Sequence, residues 1–202
     1  MQGLELLGVH IENMRKYLSN VIVCINKFDS DTLDDIDTIK NYCNTKNCAC
    51  ILVDAHSNGG NGAIDLANKV INLIDNASNF KPLYDANLTI KEKIDCVCKE
   101  IYRASNIIYT DDILEHIKKL EQDGFDKLPV CIAKTQYSLS DNPKLVGTVD
   151  SFDITIKDIK VNSGAGFIVV YLGSILTLPG LGNNANVYNI KIDDDLNISG
   201  LI

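Results

Sequence analysis

An α/β fold is expected: a parallel-sheet α/β segment over residues 1–78, then an α+β domain over residues 79–202 with a four-stranded mixed sheet and two helices. Three observations predict it. Residues 3–74 alternate helix, strand, helix, strand, glycine-rich loop and helix, the rhythm of parallel strands joined by crossover helices. A polar, proline-containing stretch, SNFKPLYDANL (78–88), interrupts that rhythm and marks a domain boundary. From residue 128 onward the apolar runs are short and rich in β-branched residues, as strands are.

The elements follow in order. Leu4, Leu7, Ile11, Met14 and Leu18 recur at helical spacing over 3–18, giving one apolar stripe. VIVCIN (21–26) is short, continuous and β-branched, which predicts a buried strand. A helix over 32–44 follows, with Asp31 as the expected N-cap, Asp34 in the first turn and a stripe of Leu33, Ile36, Ile39 and Cys43. ACILVDA (49–55) predicts a second buried strand and HSNGGNG (56–62) a loop. The next helix has the stripe Ile64, Ala67, Val70, Ile71 and Ile74. Beyond the connector, Thr89-Ile90-Lys91-Glu92 spells a capping box ahead of Ile90, Ile94, Val97 and Ile101. Thr110 is placed to cap a further helix with Ile113, Leu114, Ile117 and Leu120 inside and Gly124 as its stop. LPVCIAKT, FDITIKDIKVN, FIVVYLG and YNIKID supply the strands; the second of these reads as one long alternating strand.

The 202 residues are 46% hydrophobic and 23% charged, the balance of a globular protein with a real core. A net charge of −8 with no Lys/Arg cluster argues against nucleic acid or an anionic membrane as partner. No apolar run approaches the roughly 20 residues of a membrane helix, and the N-terminus does not read as a signal peptide. Seven cysteines, an odd number without scaffold spacing, fit a reducing cytoplasm. The pairs Cys48/Cys50 and Cys96/Cys98 lack the further ligands a zinc site needs, so they are expected to be plain thiols.

Asn26-Lys27-Phe28-Asp29 spells N-K-x-D, the guanine-reading signature of GTPases. A GTPase also needs G-x-x-x-x-G-K-[ST], whose backbone N–H groups and Lys hold the β and γ phosphates, and that string is absent. SGAGF (163–167) opens a strand and is expected to be a tight turn. NGGNG (58–62) stands between strand and helix, where it serves either an anion at the helix N-terminus or a βα turn needing positive φ. Met1-Gln2-Gly3 runs into the first helix without a cap, which favours a piece of a longer protein. In parallel sheets ligands bind beyond the carboxyl ends of the strands, so 26–31 and 54–62 are the candidate site segments.

GLELLGVHIENMRKY, INKFDSDT, FKPLYDANLTIKEKI, DKLPVCIAKTQYSLSDNPKLVG, GAGFIVVYLGSILTLPGL and DDDLNISGL together resemble formate–tetrahydrofolate ligase in order and spacing. The resemblance spans essentially the whole chain but only the C-terminal part, well under half, of that enzyme. It implies a cytoplasmic, usually homotetrameric ligase that joins formate to tetrahydrofolate with ATP and Mg²⁺, stimulated by a monovalent cation. It also implies that the phosphate loop and the arginine holding formyl phosphate lie in the N-terminal part, and that the last domain is a half-barrel sheet with helices on its concave side.

The family pattern N-[RK]-F-x-x-D-T is matched by Asn26, Lys27, Phe28, Asp31 and Thr32, which leaves Asp29 at a variable position. The resemblance implies that Phe28 stacks on one face of the pterin and that Asn26 meets the adenine amino group. The family's W-A-x-G-G-x-G loop reads HSNGGNG here, so His56 stands at the tryptophan position, with Gly59 and Gly60 in the cavity loop. An imidazole stacks with less area than an indole. Lys134 and the QYSLSD loop are further candidates for lining the cavity. After LPGL the chain has GNNANV (182–187) in place of the family's P-K-x-P-A-A, a loop expected to be more mobile without its prolines. The competing class is a non-catalytic, stand-alone binding module derived from the family; a GTPase fragment is the third reading.

Overall fold

The computed structural model describes residues 2–74, 79–148, 151–173 and 186–200. Helix α1 (Gln2–Arg15) leads to strand β1 (Ile22–Asn26), helix α2 (Leu33–Thr45) and strand β2 (Ala49–Val53). β1 and β2 are parallel neighbours, in register from Ile22↔Ala49 to Asn26↔Val53, with α2 as the crossover. Ile11, Cys43 and Cys48 are buried together, with Leu7, Val23, Ile39 and Cys50 packed against them. The thiols therefore serve as small apolar side chains, and among the described residues no His/Cys/Asp/Glu group could hold a metal ion.

Two expectations for α2 need correction. The N-cap is Thr32, not Asp31: its hydroxyl accepts from Asp35 N–H and Asp35 returns the bond, a complete capping box. Leu33 is 79% exposed, because the first turn of α2 stands clear of the core that Ile36 and Cys43 reach. HSNGGNG is helical rather than open: α3 (Ala55–Asn58) passes into a 3-10 turn (Gly59–Ala63) and then α4 (Ile64–Ile74). α4 forms where the apolar spacing predicts a helix, yet Ile64, Ile71 and Ile74 are more than half exposed.

The core built around the later elements is the larger of the two. α5 (Ile90–Glu100) has the expected capping box from Thr89 and Glu92. A strand absent from the sequence reading, β3 (Asn106–Ile108), precedes α6 (Asp111–Gln122). Thr110 is the N-cap residue of α6 without a side-chain cap bond, and Gly124, at φ 85°, ends the helix. β4 (Val130–Ala133), β5 (Asp153–Thr155), β6 (Asp158–Asn162) and β7 (Phe167–Tyr171) follow, then the ladder β8 (Lys191–Ile192) and β9 (Ile198–Ser199). The order β4-β7-β6 makes a mixed three-stranded sheet, β4 parallel and β6 antiparallel to β7, while β3 and β5 pair separately in parallel.

FDITIKDIKVN is thus two strands, not one. Ile156 N–H reaches Ile108 O at 3.0 Å, and the next residue, Lys157, donates to Tyr171 O at 2.9 Å. Neighbouring amides serve different ladders, which turns the chain through a corner. SGAGF is the tight turn of the β6–β7 hairpin, with Gly166 at φ 75°. Among the described residues the sheets are three- and two-stranded, a general α/β arrangement. Most of the loop 182–187 lies outside the described residues.

Ile90, Ile94 and Cys98 of α5 and Ile113 and Ile117 of α6 meet Ile154, Ile159, Ile168 and Val170 of the strands in the larger core. Lys93 is fully buried among them because its ammonium donates to Asp126 O at 2.5 Å and Leu128 O at 3.2 Å, satisfying a turn that would otherwise bury bare carbonyls. α1 belongs to both cores, Ile11 in the smaller and Val9 in the larger. Its polar side ties it to the segments after α5 and α2: Asn13 Nδ2 donates to Ile101 O at 2.8 Å, and Glu12 bridges Arg103 at 2.6 Å and Lys46 at 3.2 Å. The connector is also tied down, since Lys81 N–H meets Tyr17 O at 2.9 Å and Tyr84 OH accepts from Val130 N–H at 3.0 Å. No helix among the described residues is long and apolar enough to cross a membrane.

Candidate functional site

The parallel ladder closes one residue past β1, where Lys27 N–H donates to Val53 O at 2.9 Å. There the two strand-end segments are tied by charge. Lys27 Nζ lies 3.1 Å from Asp54 Oδ2, and Asn58 Nδ2 donates to the same oxygen at 3.2 Å. The Lys27 ammonium, helped by a hydrogen bond from Ser57, holds the Asp54 carboxyl below its ordinary range. A depressed carboxyl pKa means that this tie is complete above the usual carboxylate range. It is lost only as acid carries the pH down through the lowered value.

Phe28 comes next. Its N–H donates to Asp31 Oδ2 at 2.8 Å, and Asp31 N–H donates back to Phe28 O at 3.0 Å. The next residue, Thr32, starts α2. The pattern N-[RK]-F-x-x-D-T therefore has a physical reading at each fixed position after the strand end. Lys27 ties the neighbouring segment, Asp31 closes the turn and Thr32 caps the helix. The phenyl ring is left out of that bonding and is 64% exposed. A rigid backbone presenting a bare aromatic is the arrangement that gives large contact area at low ordering cost. Asp29 is exposed and its carboxylate makes no hydrogen bond among the described residues. The Asn26 amide is likewise free at the strand end.

The second segment is folded on Gly62. Asp54 N–H donates to Gly62 O at 3.1 Å. A Cβ at Gly62 would sit 2.1 Å from Asp54 O, so only glycine permits this approach. The closure brings the chain back on itself and leaves α3, with His56 exposed on it, standing at the strand end. Gly59 takes φ 55° at the end of α3, whereas Gly60 faces open space. Register places Phe28 two residues past the Asn26↔Val53 pair and His56 three residues past it, on adjacent strands. Lys134 lies elsewhere, after β4, its ammonium donating to Thr135 O at 2.7 Å and to Ser138 O. Sequence reasoning missed Lys27, Asp54 and Gly62 as site-building residues. The one available signal was that an N-K-F and a D-A-H follow consecutive strands.

An exposed aromatic and an imidazole thus stand, each on a segment closed by its own hydrogen bonds, at the carboxyl edge of two parallel strands, the edge at which α/β sheets take their ligands. The family model for formate–tetrahydrofolate ligase matches residues 1–202, and the chain belongs to that family. It is 44% identical over 201 residues to the formate–tetrahydrofolate ligase of Thermosipho africanus (strain TCF52B), covering 100% of this chain and 36% of that protein. The chain thus spans about a third of the length of that relative.

Proposed function

We propose that this chain forms the folate wall of an ATP-dependent ligase that joins formate to tetrahydrofolate, giving 10-formyltetrahydrofolate in the cytoplasm. The observation that carries this reading is the Phe28 turn: an exposed phenyl on a backbone fixed by Asp31 and tied through Lys27 to the His56 segment. Phe28 packs on one face of the pterin and His56 on the other, so N10 is held in place for acyl transfer. Asn26, with its amide free, meets the adenine amino group; Gly59 and Gly60 border the cavity. The β3–β5 and β4–β7–β6 ladders, joined at the Ile156–Lys157 corner, are parts of the half-barrel, and the assembly is a homotetramer. The exposed α4 stripe fits a larger protein that covers it.

The sequence has no G-x-x-x-x-G-K-[ST], and among the described residues no group of three or more His, Cys, Asp or Glu side chains could hold a metal ion. In this reading Mg²⁺ and the activating monovalent cation belong to the rest of the ligase. Phosphoryl transfer depends on positioning the phosphates and neutralising their charge, so the 202-residue chain alone is expected to release no ADP in response to formate. A coupled ADP assay of the purified chain checks this; formate-dependent ADP release would place the phosphate site here.

A second reading, a non-catalytic binding module, is favoured by a single observation, His56 in place of the expected tryptophan. The discriminating experiment uses two neighbouring acids in the full-length protein. Asp31→Ala removes the acceptor that fixes Phe28 and is expected to weaken tetrahydrofolate about tenfold, as losing a charge-assisted hydrogen bond does. Asp29→Ala, at a carboxylate with no hydrogen-bond partner among the described residues, should leave folate binding and ATP-dependent activity within a few-fold. A loss at Asp29 that exceeds the loss at Asp31, or GTP-dependent activity, overturns the ligase reading. Folate binding with the expected Asp31 loss but no turnover selects the module.

A further inference from the structure

Beyond the carboxyl end of β4 lies a cavity of about 270 Å³. Leu6 and His10 of α1 form one wall, Tyr102 after α5 another, and Lys134, Thr135 and Gln136 the floor. It sits at the junction of the two units and at the end of a parallel strand, both common places for small-molecule sites. It is smaller than the pockets of about 300–1,000 Å³ that hold drug-sized ligands.

The charge inside it is one-sided. The Lys134 ammonium spends one N–H on Thr135 O at 2.7 Å and another on Ser138 O, and lies 5.0 Å from the centre of the Tyr102 ring. An ammonium has three donors, so one remains. Among the described residues Lys134 has no ion pair, and no Asp or Glu side chain lines the cavity, in a protein of net charge −8. Asp141, the carboxylate whose field reaches Lys134, already accepts Thr155 N–H at 3.1 Å. The other polar groups are donors in waiting. The His10 and Gln136 side chains make no protein hydrogen bond among the described residues. Thr135 Oγ1 accepts Tyr137 N–H at 3.3 Å and keeps its own hydrogen to give.

We propose that this cavity is a small-anion site, taking a carboxylate or phosphoryl group on Lys134, with His10, Thr135 and Gln136 donating to its oxygens. A cation gains nothing there, because the lining offers it no carboxylate. A large apolar ligand would bury the remaining ammonium donor without a partner. Burial pushes the Lys134 pKa below the ordinary lysine value, and a bound anion would offset that desolvation.

The test is a titration of the isotope-labelled 202-residue chain, following the imidazole resonances of its three histidines. The probes are glutarate, inorganic phosphate and sodium chloride at matched ionic strength. A saturable shift at His10, absent at His116 and absent with chloride, is expected. Saturation by glutarate assigns the site to carboxylates, and by phosphate to phosphoryl groups. Lys134→Met should weaken binding about tenfold or more, the worth of a charge-assisted contact. Gln136→Ala, an exposed loop position, should weaken it about two- to tenfold. No saturable shift with either anion, or the same shift with chloride, overturns the proposal. So does unchanged affinity in a folded Lys134→Met. If Lys134→Met does not fold, unchanged affinity in Gln136→Ala decides against it.

Discussion

Gly62→Ala in the full-length protein is expected to abolish measurable tetrahydrofolate binding, while Gly164→Ala leaves it intact. Gly164 stands in the β6–β7 turn, away from the β1 and β2 ends, and its surroundings differ. A methyl on Gly164 meets nothing within 4 Å. A methyl on Gly62 meets Asp54 O at 2.1 Å, Asp54 C at 2.4 Å and Ala55 N at 2.9 Å. All three are backbone atoms, so no side chain can swing aside. The chain must give up the Asp54 N–H to Gly62 O bond, and with it the placement of the Asp54 carboxylate. Lys27 then loses its partner, and the His56 segment is released from the Phe28 turn. The cost of forcing such an overlap is about 1–3 kcal/mol or more, enough to open a surface closure held by a few hydrogen bonds. Titration of folate against both variants, with thermal melting as a second readout, checks this. Equal folate affinity in the two variants would mean that the β2-end segment does not build the site.

The sequence was most informative where periodicity and capping chemistry act locally. The α5 capping box and the Gly124 stop needed only neighbours along the chain, and the parallel β1–β2 pairing followed from the helix between the two strands. Burial was less legible. Leu33 and α4 show correct helical spacing, but a stripe states which residues share a face and not whether a partner covers that face. The β5–β6 corner was present in the letters. The apolar phase runs Phe152, Ile154, Ile156 and then jumps to Ile159 and Val161, and the polar pair Lys157-Asp158 marks the switch between ladders. β3 is three residues long, too short for alternation to register, and exists because β5 lies beside it. Asp31 fits the capping role by residue type, because Ser, Thr, Asp and Asn are all good caps. Asp35 decides the matter, since it stands three residues after Thr32 and completes the box. The candidate site was legible only in part. The family pattern offers Phe28 and His56 as candidates, but the Lys27–Asp54 tie joins residues 27 apart, and no local pattern announces it.

Phe28→Ala in the full-length protein is expected to weaken tetrahydrofolate by one to two or more orders of magnitude and to leave folding stability nearly unchanged. The ring is 64% exposed, so its removal opens no cavity in the protein. That separates a ligand contact from a core aromatic, whose truncation costs about 3–5 kcal/mol of stability. In the complex, burying a phenyl contributes about 1.5–3 kcal/mol and stacking about 0.5–1.5 kcal/mol more, at about 1.4 kcal/mol per tenfold in affinity. ATP affinity should move little, because the phosphate loop is not in this chain. His56→Trp is the complementary variant. His56 is exposed on a four-residue helix, so an indole finds room on the protein side, and its larger face should tighten folate. Gain at His56→Trp together with loss at Phe28→Ala is what two walls of one slot produce. The measurement is a tetrahydrofolate titration of wild type and both variants, with ATP as control and a melting curve for each. If Phe28→Ala lowers the melting temperature by several degrees and folate affinity holds, the ring is packed in the full-length protein, and the folate wall lies on other residues.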